Sequence, residues 1–164
     1  MKSVLISIQP KWCELIASGI KTVEVRKTRP KIDTPFKCYI YETNWKDNTY
    51  WKNYHKGKLG KVIGEFVCDK IDEYTNYSLD EQNGHINRRE NLLRSACMTL
   101  KDWRDYIGSY ISDFGYAWHI SDLVIYDKPK ELSEFNHCGA NYHFNPPITR
   151  PPQSWCYVEK GGAE

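Results

Sequence analysis

Gly19-Ile20-Lys21-Thr22-Val23-Glu24-Val25-Arg26 is the stretch on which the reading of this chain turns. Pro10 can open a helix, and Trp12, Leu15 and Ile16 recur at helical spacing until Gly19 ends it. From Thr22 to Lys27 the period changes to two. Val23 and Val25 point one way, while Thr22, Glu24 and Arg26 point the other. A short strand therefore carries a polar, charged row, with Lys21 at its mouth. Glu24 and Arg26 sit two apart on that row, so they can pair and fix each other's orientation. Lys21 can bind an anion or, if desolvated, act as a base. On these residues alone, an ordinary ion pair on a surface strand is the commoner explanation.

Outward from this stretch, Ser3 to Ile8 alternates with Val4, Ile6 and Ile8 on one side, a first strand, and Phe36 to Glu42 reads as another. Lys61 to Tyr74 predicts one long strand bent at Gly64. A polar segment then leads into a helix through Leu92 and Leu93. Thr99 caps a further helix whose face is Leu100, Trp103, Tyr106 and Ile107, with Asp102 as its capping partner. Gly115 to Tyr126 is the strongest strand signal, and Gln153 to Glu159 closes the set. About six short strands with two or three helices predict an α+β fold, a small mixed β-barrel with peripheral helices. The expected organisation is one domain over residues 1–164, decorated by loops near 44–58, 75–95 and 136–150.

The 164 residues suffice for a core that needs no disulfide staple. With 40% hydrophobic and 27% charged residues, the chain is a folded globule and not a disordered one. Tyr (12) and Trp (6) outnumber Phe (5), which suggests half-buried and stacking positions as well as core. The net charge of +2 is uneven: residues 21–61 hold eleven Lys or Arg against four acids, a net of +7. A basic first third attracts phosphates if it gathers on one face, and is merely solvated if its charges interleave in space. No apolar run spans a bilayer and no signal-peptide pattern opens the sequence, so a cytoplasmic location is expected. The six cysteines are scattered singly, without C-x-x-C, and most read as small buried hydrophobes. His137, Cys138, His143 and Cys156 match no standard zinc spacing, so no metal and no cofactor are expected.

Gly19-x-Lys21-x-x-Glu24-x-Arg26, placed after a strand and a helix, resembles the G-x-K-x-x-E-x-R signature of the ASCH domain, a member of the PUA-like class. The strand Val4 to Ile8, the run Gly60 to Phe66 and the strand Gly115 to Ile120 are similar to the family's strands in the same order. Many small phage and bacterial proteins of this family consist of little else. The resemblance implies a PUA-like barrel that binds RNA or nucleotides, with a polar cleft holding Lys21, Glu24 and Arg26; Thr22, on the same face by alternation, is a further candidate ligand contact. It also implies an alternative, a hydrolase: either an amidohydrolase acting on 4-acetylcytidine or a ribonuclease. The amidohydrolase branch uses a Thr nucleophile where this chain has Glu24, and a carboxylate cannot simply replace that hydroxyl. Glu24 would instead activate water or hydrogen-bond a base edge, with Lys21 and Arg26 on phosphate or carbonyl oxygens.

Three further places are candidates. In Trp118-His119-Ile120-Ser121, alternation separates Trp118 from His119 and Ser121, and either face could border the cleft. Trp118 could stack on a base and His119 could move protons, or the pair could be a core Trp beside a surface His. Glu65 on the central strand offers another carboxylate, or is a solvated strand Glu. Residues 44–58 interleave aromatics with lysines, a combination that suits single-stranded nucleic acid, or a loop whose rings cover the barrel. The sequence leaves the oligomeric state open.

Overall fold

All six residues of the first strand, Ser3–Ile8 (β1), are buried, so both of its faces are covered and not only the Val4–Ile6–Ile8 side. In the computed structural model, which describes residues 2–44, 59–80, 86–139 and 144–160, β1 lies inside a sheet. It pairs in parallel with β3 (Phe36–Glu42), Val4 opposite Cys38 and Ile8 opposite Glu42. On its other side it pairs antiparallel with β9 (Trp155–Lys160), Val4 opposite Tyr157.

The remaining strands are β2 (Val23–Arg26), β4 (Lys61–Cys68), β5 (Ile71–Thr75), β6 (Phe114–His119), β7 (Ser121–Lys130) and β8 (Phe135–His137). Three helices complete the described residues: α1 (Pro10–Ala17), α2 (Ile86–Ala96) and α3 (Leu100–Ile107). The α+β reading stands, but the barrel does not. The strands form a six-stranded sheet, β7-β4-β3-β1-β9-β8, and a three-stranded sheet, β2-β6-β5. Closure requires the last strand of a sheet to hydrogen-bond the first, and among the described residues each of these orders ends in two edges.

The reason is visible in the two long β-runs. Lys61 to Tyr74 is not one bent strand: it breaks after Cys68, and its second part, β5, joins the small sheet. Gly115 to Tyr126 breaks at Ile120, where Asp122 follows at φ 46°, and the continuation, β7, joins the large sheet. One run therefore feeds two sheets on each occasion.

The chain forms two compact units: residues 1–14, 36–67 and 122–164, and residues 15–35 and 68–121. The first has a core of Leu5, Tyr39, Tyr41, Val62, Phe135, Ile148 and Val158. The second packs Val23, Val25, Leu79, Leu92, Ala96, Trp103 and Ala117 together. Here α3 starts with the expected reciprocal cap: Thr99 Oγ1 accepts from the Asp102 N–H at 3.1 Å, and Asp102 Oδ2 accepts from the Thr99 N–H at 2.8 Å. Its Trp103 is fully buried and donates from Nε1 to Asn76 Oδ1 at 2.9 Å. Gly115 lets this helix come close, because a Cβ there would lie 2.6 Å from Ile107 Cδ1 and 3.0 Å from Trp103 Cη2. No helix among the described residues is long and apolar enough to cross a membrane.

Candidate functional site

The second unit holds the charged row, and local chain chemistry sets its geometry. Gly19 takes φ +75° just past α1, a left-handed conformation in which glycine has no steric penalty. The turn is held by the N–H groups of Ile20 and Lys21, both donating to Leu15 O at 3.0 and 2.9 Å. It delivers Lys21 to the start of β2. The last carbonyls of α2 lie alongside: Ser95 O accepts from the Thr22 N–H at 2.9 Å, and Ala96 O accepts from Lys21 Nζ at 2.7 Å. A cation at a helix C-terminus meets the negative end of the backbone dipole and a carbonyl that lacks an intrahelical partner.

Lys21 Nζ also lies 3.3 Å from Glu24 Oε2, and Glu24 Oε1 lies 3.1 Å from an Arg26 guanidinium nitrogen. Glu24 is thus clamped between two cations. The three residues are only 3%, 6% and 7% exposed, so the row is not a solvated surface strand. Their summed charge is one positive unit (two cations, one carboxylate). Arg26 continues to the Tyr106 hydroxyl, which also accepts from the Lys27 backbone N–H. Burial pushes the Tyr106 phenol up, with Glu24's charge adding to this and Arg26 pulling it back in part.

Strand register decides what else shares this face. Glu24 stands opposite Trp118 and Arg26 opposite Tyr116, and directly opposed residues in an antiparallel pair lie on the same side. Trp118 is therefore the neighbour of the charged row. Its ring is 0% exposed, which corrects its expected role as an open stacking platform: it is a wall beside Glu24. His119 stands opposite Val23, on the other face. There its Nε2 meets Asp72 Oδ2 at 2.9 Å, and Lys70 Nζ meets the same oxygen at 2.9 Å. Burial raises the Asp72 carboxyl, but the hydrogen bonds from Lys70 and His119 outweigh it and hold the group below the usual range.

The other expected residues are placed differently. Thr22 is exposed, with its carbonyl accepting from the Ile120 N–H at 3.0 Å, so it does not join the buried row. Ser121 is half-buried at the start of β7. Glu65 belongs to the first unit, where Oε1 accepts from Lys37 Nζ at 2.6 Å and Oε2 from the Tyr126 hydroxyl. Burial raises its carboxyl, and those two hydrogen bonds bring it below the usual range. The aromatic-lysine segment lies outside the described residues from Trp45 to Lys58, as does His143. Among the described residues no three His, Cys, Asp or Glu side chains gather as a metal set, and Cys138 Sγ donates to Glu159 Oε1 at 3.3 Å.

A groove of about 500 Å³ lies on the charged-row side of β6, bordered by Lys27, Arg29, Lys31, Asp33, Phe114 and Tyr116 among others. Lys21, Glu24 and Arg26 do not line it; its wall begins one residue after Arg26. Sequence reasoning missed Phe114 and Tyr116 here. The available signal was the two-residue repeat of Lys27, Arg29 and Lys31 directly after the motif strand.

The ASCH domain family model matches residues 6–130 of this chain. This chain belongs to the ASCH family. A crystal structure of ASCH from Zymomonas mobilis shares its fold with a TM-score of 0.63 at 24% identity, covering 96% of this chain and 88% of that one. A mutant form of that Zymomonas mobilis protein gives the same TM-score, 0.63, at 22% identity over 98% of this chain and 93% of the other. No curated protein sequence matches the chain. In this ASCH protein Gly19 makes the turn, Lys21 ties the strand to a helix end, and Glu24 and Arg26 form an ion pair.

Proposed function

We propose that this ASCH protein binds RNA or a nucleotide-sized ligand through the Lys21–Glu24–Arg26 strand. The observation that carries the reading is the burial of a carboxylate between two cations, a cluster of net positive charge. Burying such groups costs several kcal/mol per ion by rough estimate, and apolar residues of similar volume would serve stability as well or better. The cluster is thus better explained by what it binds. Lys21 and Arg26 attract phosphate or carbonyl oxygens. Glu24 has both oxygens oriented by its cations, and each carboxylate oxygen has two lone-pair sites. It holds the cations in place and accepts a polar hydrogen from a base edge.

Acyl transfer of the amidohydrolase kind is disfavoured, because Glu24 stands where a hydroxyl nucleophile would be needed. His119, the expected reserve acid or base, is on the opposite face with Asp72.

Titration calorimetry with nucleoside monophosphates and a short RNA, on the wild type, Lys21→Ala and Glu24→Gln, tests the reading. Affinity is expected to fall at least tenfold in both variants, with circular dichroism reporting that each remains folded. Unchanged affinity in both removes the site. Turnover of 4-acetylcytidine or labelled RNA that Lys21→Ala abolishes would replace binding by hydrolysis.

A further inference from the structure

The groove beside the motif strand has the composition of a nucleic-acid track. Lys27, Arg29 and Lys31 are exposed along it against one acid, Asp33, a local charge of +2 (three cations, one carboxylate). Phe114 is 46% exposed, and its ring meets Tyr116 edge-on, 5.7 Å between centroids at 87°. Tyr116 in turn stands opposite Arg26 in the ladder. An open phenylalanine face braced by a tyrosine, with cations at the rim, suits a polyanion that also offers flat rings. A volume of about 500 Å³ is that of a small-molecule site and admits a nucleotide.

We propose that this groove is a second subsite, which takes the single-stranded nucleic acid flanking the nucleotide bound at Lys21–Glu24–Arg26. Lys27, Arg29 and Lys31 follow the phosphates and Phe114 stacks on a base. The inference rests on the nucleotide reading above and adds to it a polymeric ligand and its direction along the sheet, away from Glu24 past Tyr116. An acidic peptide would satisfy the cations and leave the Phe114 face unused, so single-stranded nucleic acid is the better fit.

Fluorescence anisotropy with labelled 12-mers of oligouridylate and oligodeoxythymidylate, over a range of salt concentrations, tests it alongside calorimetry with uridine monophosphate. The variants are the triple Lys27→Gln, Arg29→Gln, Lys31→Gln and the single Phe114→Ala, both at exposed positions. Oligomer affinity is expected to fall at least tenfold in each. Three lost phosphate contacts reduce the slope of log K against log salt by about 2, at roughly 0.7 per contact on a single strand. Mononucleotide affinity stays within twofold in both variants. A triple variant with unchanged oligomer affinity and slope overturns the subsite. So does a wild type that binds the monophosphate as tightly as the 12-mers, although the nucleotide reading then survives. Competition by polyglutamate as strong as by RNA replaces the nucleic acid with an acidic peptide. A wild type that binds neither monophosphate nor 12-mer overturns both proposals. The two 12-mers tell RNA from DNA.

Discussion

Lys21 Nζ sits 2.7 Å from the carbonyl oxygen of Ala96, so the motif lysine closes the C-terminal end of α2 as well as pairing with Glu24. One side chain ties three things together: the turn made by Gly19, the edge strand β2 and a helix remote in sequence. This explains why a cation can be so deeply buried here. Its donors meet a helix-end carbonyl and a carboxylate, both of which need one.

Lys21→Met should therefore loosen α2 as well as the motif strand. We expect a loss of about 2–3 kcal/mol in urea denaturation, the scale for leaving a carbonyl and part of a buried carboxylate uncompensated. Amide exchange should speed up most in the last turn of α2. Exchange that changes uniformly over the chain, with no emphasis on residues near Ala96, would contradict the tie.

Gly19 and Gly115 are irreplaceable for different reasons, and alanine separates them. At Gly19 nothing lies within 4 Å of a would-be Cβ, so only the φ of +75° opposes a side chain. Gly19→Ala should cost about 1–2 kcal/mol, the penalty for a left-handed L-residue. At Gly115 the opposition is steric, from Ile107 and Trp103. Gly115→Ala should cost about 1–3 kcal/mol as an overpacked contact. Adding Ile107→Val, which removes the nearest atom, should recover part of that loss and none of the loss at Gly19. Thermal denaturation of the four variants checks this.

The Asp72 and Glu65 carboxyls are both held low by their donors, and this has a signed consequence for pH. A carboxyl whose folded pKa lies below its unfolded value binds fewer protons in the native state. The stability it contributes is present above the unfolded pKa, and falls away as pH drops through the folded one. With ordinary values of 3.8 for Asp72 and 4.5 for Glu65, the loss falls on the acid side of those numbers. Asp72→Asn and Glu65→Gln should each flatten the decline of stability between about pH 5 and pH 2. An acid limb with unchanged slope in both variants would show that neither network matters to folding.

Much of this was readable from residue order. The period change at Thr22, the glycine stop and the Thr99–Asp102 cap are local, and they fold as local chemistry demands. The breaks after Cys68 and at Ile120 carry no glycine or proline; pairing with different sheets makes them, and no short-range signal announces that. Alternation placed Trp118 and His119 on opposite faces but could not say which faced the motif row. That depends on the register of β2 against β6, and a slip of one residue would exchange them. The Lys21–Ala96 contact spans 75 positions, and nothing near Lys21 names its partner.

Stability and function separate at the charged row itself. Glu24→Gln leaves Lys21 and Arg26 as neighbouring buried cations with no carboxylate between them. The expected loss is about 3–5 kcal/mol, the range for breaking a buried ion pair by removing one partner. Replacing the whole set, Lys21→Met with Glu24→Leu and Arg26→Met, removes every charge together and leaves none to compensate. If the cluster is retained for ligand recognition, this triple variant should unfold at a urea concentration well above that of Glu24→Gln, short of the wild type by the lost bond from Lys21 to the Ala96 carbonyl. It should nonetheless bind no nucleoside monophosphate. Urea titration and calorimetry on the same preparations read both quantities. A triple variant less stable than Glu24→Gln would mean that the charges are themselves the better packing solution, and their burial would no longer point to a ligand.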